Sequence, residues 1–138
     1  MNKKQELNTL YHCTYSLTYH LVLVTKYCYQ VITSLMLARL QAIFAATLAK
    51  WECELLEFNG EPEHVHLLIS LNPKVQLSTL VNNLKTVSSR LIRKEFGTEL
   101  AERYRKPVFW NRTYCVLTCG GAPLSVIKQY IEQQQGIE

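Results

Sequence analysis

No stretch of this 138-residue chain is apolar for long enough to act as a signal peptide or to span a membrane, which sets the expectation of a cytoplasmic protein. The polar opening, Met1-Asn2-Lys3-Lys4-Gln5-Glu6, agrees. No Cys-x-x-Cys pair occurs among Cys13, Cys28, Cys53, Cys115 and Cys119, and their odd number argues against a disulfide framework or a structural zinc site. They are expected to be reduced packing residues. Repeats, linkers and low-complexity tracts are also missing, so the length and the 48% hydrophobic content fit one domain, residues 1–138, around one core.

Acidic residues are far outnumbered by basic ones in one region. Between Lys85 and Arg112 stand Lys85, Arg90, Arg93, Lys94, Arg103, Arg105, Lys106 and Arg112 against Glu95, Glu99 and Glu102, whereas the rest of the chain is close to balanced. A local basic surface of this kind suits the tracking of phosphates, although a solvated helix face has the same composition.

Residues near 13 to 25 mix Thr, Tyr, Val and Leu and read as a first strand. From Thr33, a candidate N-cap, to about Lys50, apolar positions at Leu37, Leu40, Phe44, Leu48 and Trp51 recur at helical spacing. Two strands follow, from about Cys53 to Asn59 and from Val65 to Leu71, joined by the turn cluster Gly60-Glu61-Pro62. A second helix is expected from Leu77 to Phe96, with Leu77, Leu80, Val81, Leu84, Val87, Leu91 and Ile92 inward and Gly97 as its stop. A last strand spans Val108 to Leu117, and Gly120-Gly121-Ala122-Pro123 forms a hinge before a short helix over residues 124–135. This order predicts an α+β fold, a ferredoxin-like or RNA-recognition-motif-like antiparallel sheet with helices on one face and a mobile C-terminal helix.

Two small patterns carry chemistry. In a strand, residues i and i+2 share a face, so His64 and His66 can converge on one divalent cation, Mg²⁺ or Mn²⁺, through neutral imidazoles. In a helix, residues i and i+4 share a face, so Tyr130 projects beside Gln134, whose amide oxygen is a candidate third ligand. Together they suggest metal-assisted attack by the Tyr130 hydroxyl on a phosphodiester, with the protein held covalently to the nucleic acid. Glu61 and Glu63 flank the histidines as candidate metal or outer-shell groups. A histidine-triad hydrolase needs a third alternating histidine, but position 68 is Leu68.

The runs Tyr19-His20-Leu21-Val22-Leu23-Val24-Thr25-Lys26-Tyr27, Glu63-His64-Val65-His66-Leu67-Leu68, Leu84-Lys85-Thr86-Val87-Ser88-Ser89-Arg90, Phe109-Trp110-Asn111-Arg112-Thr113-Tyr114 and Ile127-Lys128-Gln129-Tyr130-Ile131-Glu132-Gln133-Gln134 follow in order along nearly the whole chain. In this it resembles the single-tyrosine transposases of the HUH endonuclease superfamily, encoded by the smallest bacterial and archaeal insertion sequences. The resemblance implies an antiparallel sheet with the catalytic tyrosine on a late helix. It also implies a homodimer in which the tyrosine helix of one subunit can complete the site of the other, acting on single-stranded DNA that carries short hairpins at the element ends. Lys85, Arg90, Arg93, Arg105 and Arg112 are the expected phosphate contacts, while Phe109, Trp110 and Tyr114 are stacking or, more in keeping with a half-buried strand, core residues. The competing readings are a noncatalytic RNA-recognition-motif-like binder and a related HUH nuclease acting on chromosomal repeat hairpins or replication origins.

Overall fold

In the computed structural model, residues 7–10, 12–118 and 124–135 are described, and the Gly120-Gly121-Ala122-Pro123 hinge lies outside them. The elements are β1 (Asn8–Leu10), β2 (Cys13–Tyr15), β3 (Leu17–Thr25), α1 (Ser34–Lys50), β4 (Glu54–Glu61), β5 (His64–Leu71), α2 (Leu77–Glu95), α3 (Gly97–Leu100), β6 (Trp110–Thr118) and α4 (Leu124–Gln135). A single turn of 3₁₀ helix, Lys26–Cys28, follows β3. The main sheet has the order β4-β5-β3-β6 with every neighbouring pair antiparallel, so β3 and β4 run parallel with β5 between them. This is the split βαβ arrangement of ferredoxin-like folds, as the pattern of elements predicts. Strands β1 and β2 form a separate hairpin.

Alternation along β3 and β5 divides the sheet into two faces. Leu21, Leu23, Val65, Leu67, Ile69 and Leu71 enter the large core with the buried faces of α1 and α2. In α1 those are Met36, Leu40, Ile43, Phe44 and Leu48; in α2 they are Leu80, Val81, Leu84 and Ile92. Thr33 caps α1 by accepting from the Met36 amide at 3.2 Å, as its sequence position predicts. The helix ends in a Schellman motif, with Cys53 N bonded to Leu48 O and Glu52 N to Ala49 O, and Glu52 takes the left-handed φ of 59° that the motif requires.

Three local expectations are corrected. The first strand is split at Ser16 into β2 and β3. The Gly60-Glu61-Pro62 segment is not the turn: Gly60 and Glu61 belong to β4, paired with Val65 and His64, so the hairpin closes through Pro62 and Glu63 alone. Gly60 sits under α1, where an added Cβ would meet the Leu37 side chain, so its small size is used for close packing rather than for turning. Gly97 does not end the chain's helical path but opens α3, because the Phe96 backbone already breaks α2 with φ −123° and ψ 32°.

Strand β4 carries a bulge between Leu55 and Glu57, and β6 shifts register against β3 between Leu23 and Thr25. Among the described residues Cys13, Cys28, Cys53 and Cys115 form no disulfide, and Cys13 is exposed rather than packed. Among the described residues no helix is long and apolar enough to cross a membrane.

One buried polar group ties α2 to β6. The Ser88 hydroxyl donates to Leu84 O at 2.7 Å and accepts from Trp110 Nε1 at 2.9 Å. Replacing it leaves a buried indole N–H without an acceptor, a loss of about 1–3 kcal/mol. Ser88→Ala is therefore expected to lower the unfolding free energy by about that amount in urea titration. A change within about 0.5 kcal/mol would contradict this.

Candidate active site

The second face of the sheet carries the polar chemistry. His64, His66 and Leu68 of β5 project from it, opposite the buried Val65, Leu67 and Ile69. The register sets His66 against Val22 and His64 against Val24 of β3. Val22 and Val24 form a small apolar cluster on this face with Cys28, Cys115, Leu117, Tyr130 and Ile131. Helix α4 thus lies across β3, with its tyrosine ring on the column next to the histidines.

Each histidine has a partner. His64 Nδ1 lies 2.8 Å from the Glu63 carboxylate, which only accepts when ionised, so the proton belongs on Nδ1 and the Nε2 lone pair is left for another group. Metal-binding histidines commonly have this outer carboxylate. Glu61, across the hairpin from His64, is exposed. His66 Nε2 lies 2.9 Å from His20 Nδ1, and the two rings stack at 5.0 Å with an interplanar angle of 11°. Burial first, then the neighbouring His20, holds His66 below the ordinary imidazole pKa, with Glu57 pulling it up and His64 pushing it down. The neutral ring that results is the form a metal requires.

Gln134 and Tyr130 are turned toward β6. The Gln134 amide oxygen accepts from Asn111 Nδ2 at 2.6 Å and from the Thr113 hydroxyl at 3.3 Å. The same Thr113 hydroxyl lies 3.2 Å from the Tyr130 hydroxyl, so one strand position holds both helix residues. Strand β3 stands between β6 and the histidine strand, which places that hydroxyl bond about 10 Å, two strand spacings, from β5. Burial raises the Tyr130 pKa, the Thr113 bond offsets part of this, and Cys115 adds to the rise. Tyr130 is therefore a protonated phenol near neutral pH and needs help to become a nucleophile.

The basic residues divide. Lys85 is half-buried and its ammonium donates to the carbonyls of Asn111 and Arg112, each at 2.8 Å, so it braces the first turn of β6. Burial and then Lys26 lower its pKa. Arg93 donates to Ser89 Oγ at 3.1 Å and, with Arg105 and Lys106, lines a cavity of about 320 Å³. Arg90 and Arg112 are exposed. Phe109 and Trp110 are core residues, and Tyr114 lies beneath the Lys85 ammonium, 5.7 Å from its ring centroid.

The sequence pattern missed His20, Asn111 and Thr113. Alternation places His20 on the face of Val22 and Val24, but its meeting with His66 depends on the β3–β5 register, which no local pattern carries. Among the described residues no group of three His, Cys, Asp or Glu side chains is placed to hold a cation. For a divalent ion at the His64–His66 pair, an amide oxygen such as that of Gln134 is a ligand that suits Mg²⁺ or Mn²⁺. The donors fit such an ion in kind: two imidazoles, one with its outer carboxylate in place and the other held neutral.

The family model described as Transposase IS200 like matches residues 13–134. The chain belongs to the IS200-like transposases. The ISDra2 transposase TnpA of Deinococcus radiodurans is 32% identical over 124 residues, covering 90% of this chain and 88% of the relative. The transposase for insertion sequence element IS200 of Salmonella typhimurium is 31% identical over 127 residues, covering 91% and 82%. A crystal structure from Deinococcus radiodurans R1, described as a transposase, superposes with a TM-score of 0.84 at 31% identity, over 92% of this chain and 97% of that one. A REP-associated tyrosine transposase bound to a REP hairpin shares the fold, with a TM-score of 0.54 at 12% identity over 91% of this chain and 69% of that one.

In this IS200-like transposase, Thr113→Val removes the hydroxyl that meets both Tyr130 and Gln134 while keeping the side chain's shape. A lost hydrogen bond of about 1 kcal/mol predicts roughly fivefold faster amide exchange in α4, with the global unfolding midpoint little changed. Unchanged exchange across 129–134 would show that Thr113 does not hold the helix.

Proposed function

We propose that this transposase cleaves and rejoins single-stranded DNA at insertion-sequence ends by a metal-dependent reaction through a 5′-phosphotyrosine. The observation that supports it most is the sharing of one sheet face. The ring of Tyr130 packs on Val22 and Val24, the residues paired with His66 and His64.

In this reading His64 and His66 would hold a divalent cation, with the Gln134 amide oxygen as the candidate third ligand. When bound, the cation, Mg²⁺ or Mn²⁺, would supply polarisation of a non-bridging phosphate oxygen. Glu63 keeps the His64 proton on Nδ1 and fixes the ring. The Tyr130 hydroxyl gives its proton to water as its oxygen bonds phosphorus, the bond from phosphorus to the 3′ oxygen breaks, and that oxygen leaves as a 3′-hydroxyl after taking a proton from water, so no net proton is gained or lost. The phosphotyrosine ester conserves the bond, so another 3′-hydroxyl can reverse the step and join strands. Lys85, Arg90, Arg93, Arg105 and Arg112 contact phosphates, with Lys85 also bracing β6. The protein works as a homodimer, and relatives at 31–32% identity that are insertion-sequence transposases favour transposition over action on chromosomal repeats.

Incubating wild type and Tyr130→Phe with labelled single strands from the flanks of the gene, with Mg²⁺, Mn²⁺ or chelator, tests the reading on a denaturing gel. The expected result is a metal-dependent protein–DNA adduct that is absent from Tyr130→Phe. Binding without cleavage or adduct under any metal would leave a noncatalytic binding module instead. In the same assay Glu63→Gln is expected to raise the metal concentration for half-maximal adduct by about 10- to 100-fold. An unaltered metal requirement would remove Glu63 from the site.

A further inference from the structure

The turn after β3 has left-handed backbone at two consecutive residues that are not glycine, Tyr27 with φ 62° and Cys28 with φ 57°. For a bulky residue this is an outlier, and it persists only where the surroundings over-determine it. Here they do. Lys26 N donates to Phe109 O at 2.8 Å, the Tyr104 hydroxyl donates to Lys26 O at 2.7 Å, and Thr25 Oγ1 donates to Tyr29 O at 2.6 Å.

The strained residue does not serve the core. Cys28 joins the small apolar cluster under α4 and Tyr29 packs against the large one, whereas Tyr27 between them joins neither. Tyr27 is 37% exposed, and every other Phe, Tyr or Trp whose burial is described is more covered. Its ring is braced from the protein side by Tyr29 at 5.3 Å and Tyr104 at 6.4 Å between centroids. The Lys26 ammonium lies over this ring, 5.4 Å from its centroid, and the Arg103 guanidinium lies over the neighbouring ring of Tyr29, 4.0 Å from that centroid.

The turn also adjoins both halves of the candidate site. Thr25 meets the Glu63 carbonyl through its amide at 3.0 Å and its hydroxyl at 3.2 Å, and Glu63 holds His64. Helix α4 lies against the same turn. A rigid, outward aromatic ring flanked by cations is how proteins stack an unpaired base while tracking its backbone. Such a ring loses little freedom on binding, because the turn has already fixed it.

We propose that Tyr27 is the stacking platform for one unpaired base of the single strand beside the scissile phosphate, with Lys26 and Arg103 taking the phosphates on either side of that base. The inference rests on the single-stranded DNA reading above and adds a subsite to it. Base and ring meet by stacking, so the site accepts any base and fixes the position of the strand rather than its sequence.

The test is a walk of the fluorescent base 2-aminopurine along a flanking single strand, in chelator so that the strand stays intact, with wild type, Tyr27→Trp and Tyr27→Asn. Asparagine tolerates left-handed backbone, so Tyr27→Asn is expected to stay folded with an unfolding midpoint at or near that of wild type. Wild type and Tyr27→Trp are expected to quench one position of the walk. Tyr27→Asn is expected to lose that quench and to bind about 5- to 140-fold more weakly, the fold-change equivalent of one stacked base. A folded Tyr27→Asn that binds and quenches as wild type does, while adduct formation still depends on Tyr130, would overturn the platform and leave the catalytic reading standing. Failure of wild type to bind any single strand would overturn both.

Discussion

Thr25 has no exposed surface, and the rest of the site depends on how its two polar groups are satisfied. A buried hydroxyl and amide are costly unless bonded. Here the amide donates to Glu63 O and the hydroxyl hydrogen is shared between Tyr29 O and Glu63 O. Across the sheet the same residue pairs with Trp110 at the start of β6. One threonine therefore fixes the end of the central strand, the hairpin that launches the histidines, the strained turn, and the strand that receives Tyr130 and Gln134. Few other positions join as many segments.

The two faces of the sheet are held by different forces. On the helix side a continuous apolar core of strand residues packs against α1 and α2, and this burial dominates folding. On the other side the apolar contact is small, centred on Val22 and Val24, and α4 is kept in place as much by the Asn111 and Thr113 bonds as by burial. Elements so attached belong to the low end of a protein's range of local stability. In the proposed reaction that would suit α4, whose Tyr130 and Gln134 would leave β6 to meet a phosphate.

The long elements were legible because their periodicity is strong: the apolar stripes of α1 and α2 and the alternation of β5 need no tertiary information. The same alternation placed His64 and His66 on one face, and the four-residue spacing did so for Tyr130 and Gln134. The illegible parts are those decided by distant partners. The β1–β2 hairpin consists of strands too short to show a period. Gly60 looks like a turn residue but lies in β4 against the Leu37 side chain of α1, and nothing near Lys85 in sequence announces the two β6 carbonyls that its ammonium meets. His20 reaches His66 only through strand register. Tyr27 gave no local sign of its backbone strain, since the bonds that impose it come from Phe109 and Tyr104, far along the chain.

The bulge between Leu55 and Glu57 of β4 has a bearing on how this chain can diverge. Side chains in a strand follow parity, so gaining or losing one residue within β5 would turn both imidazoles into the apolar core and bring Val65 and Leu67 out to solvent. The edge strand has no such restriction where it already accommodates an extra residue, for the pairs on either side of the bulge keep their own frames. Length variation among descendants of this sequence is thus easier at the bulge of the edge strand than along the histidine strand, where only steps of two keep both imidazoles on their face.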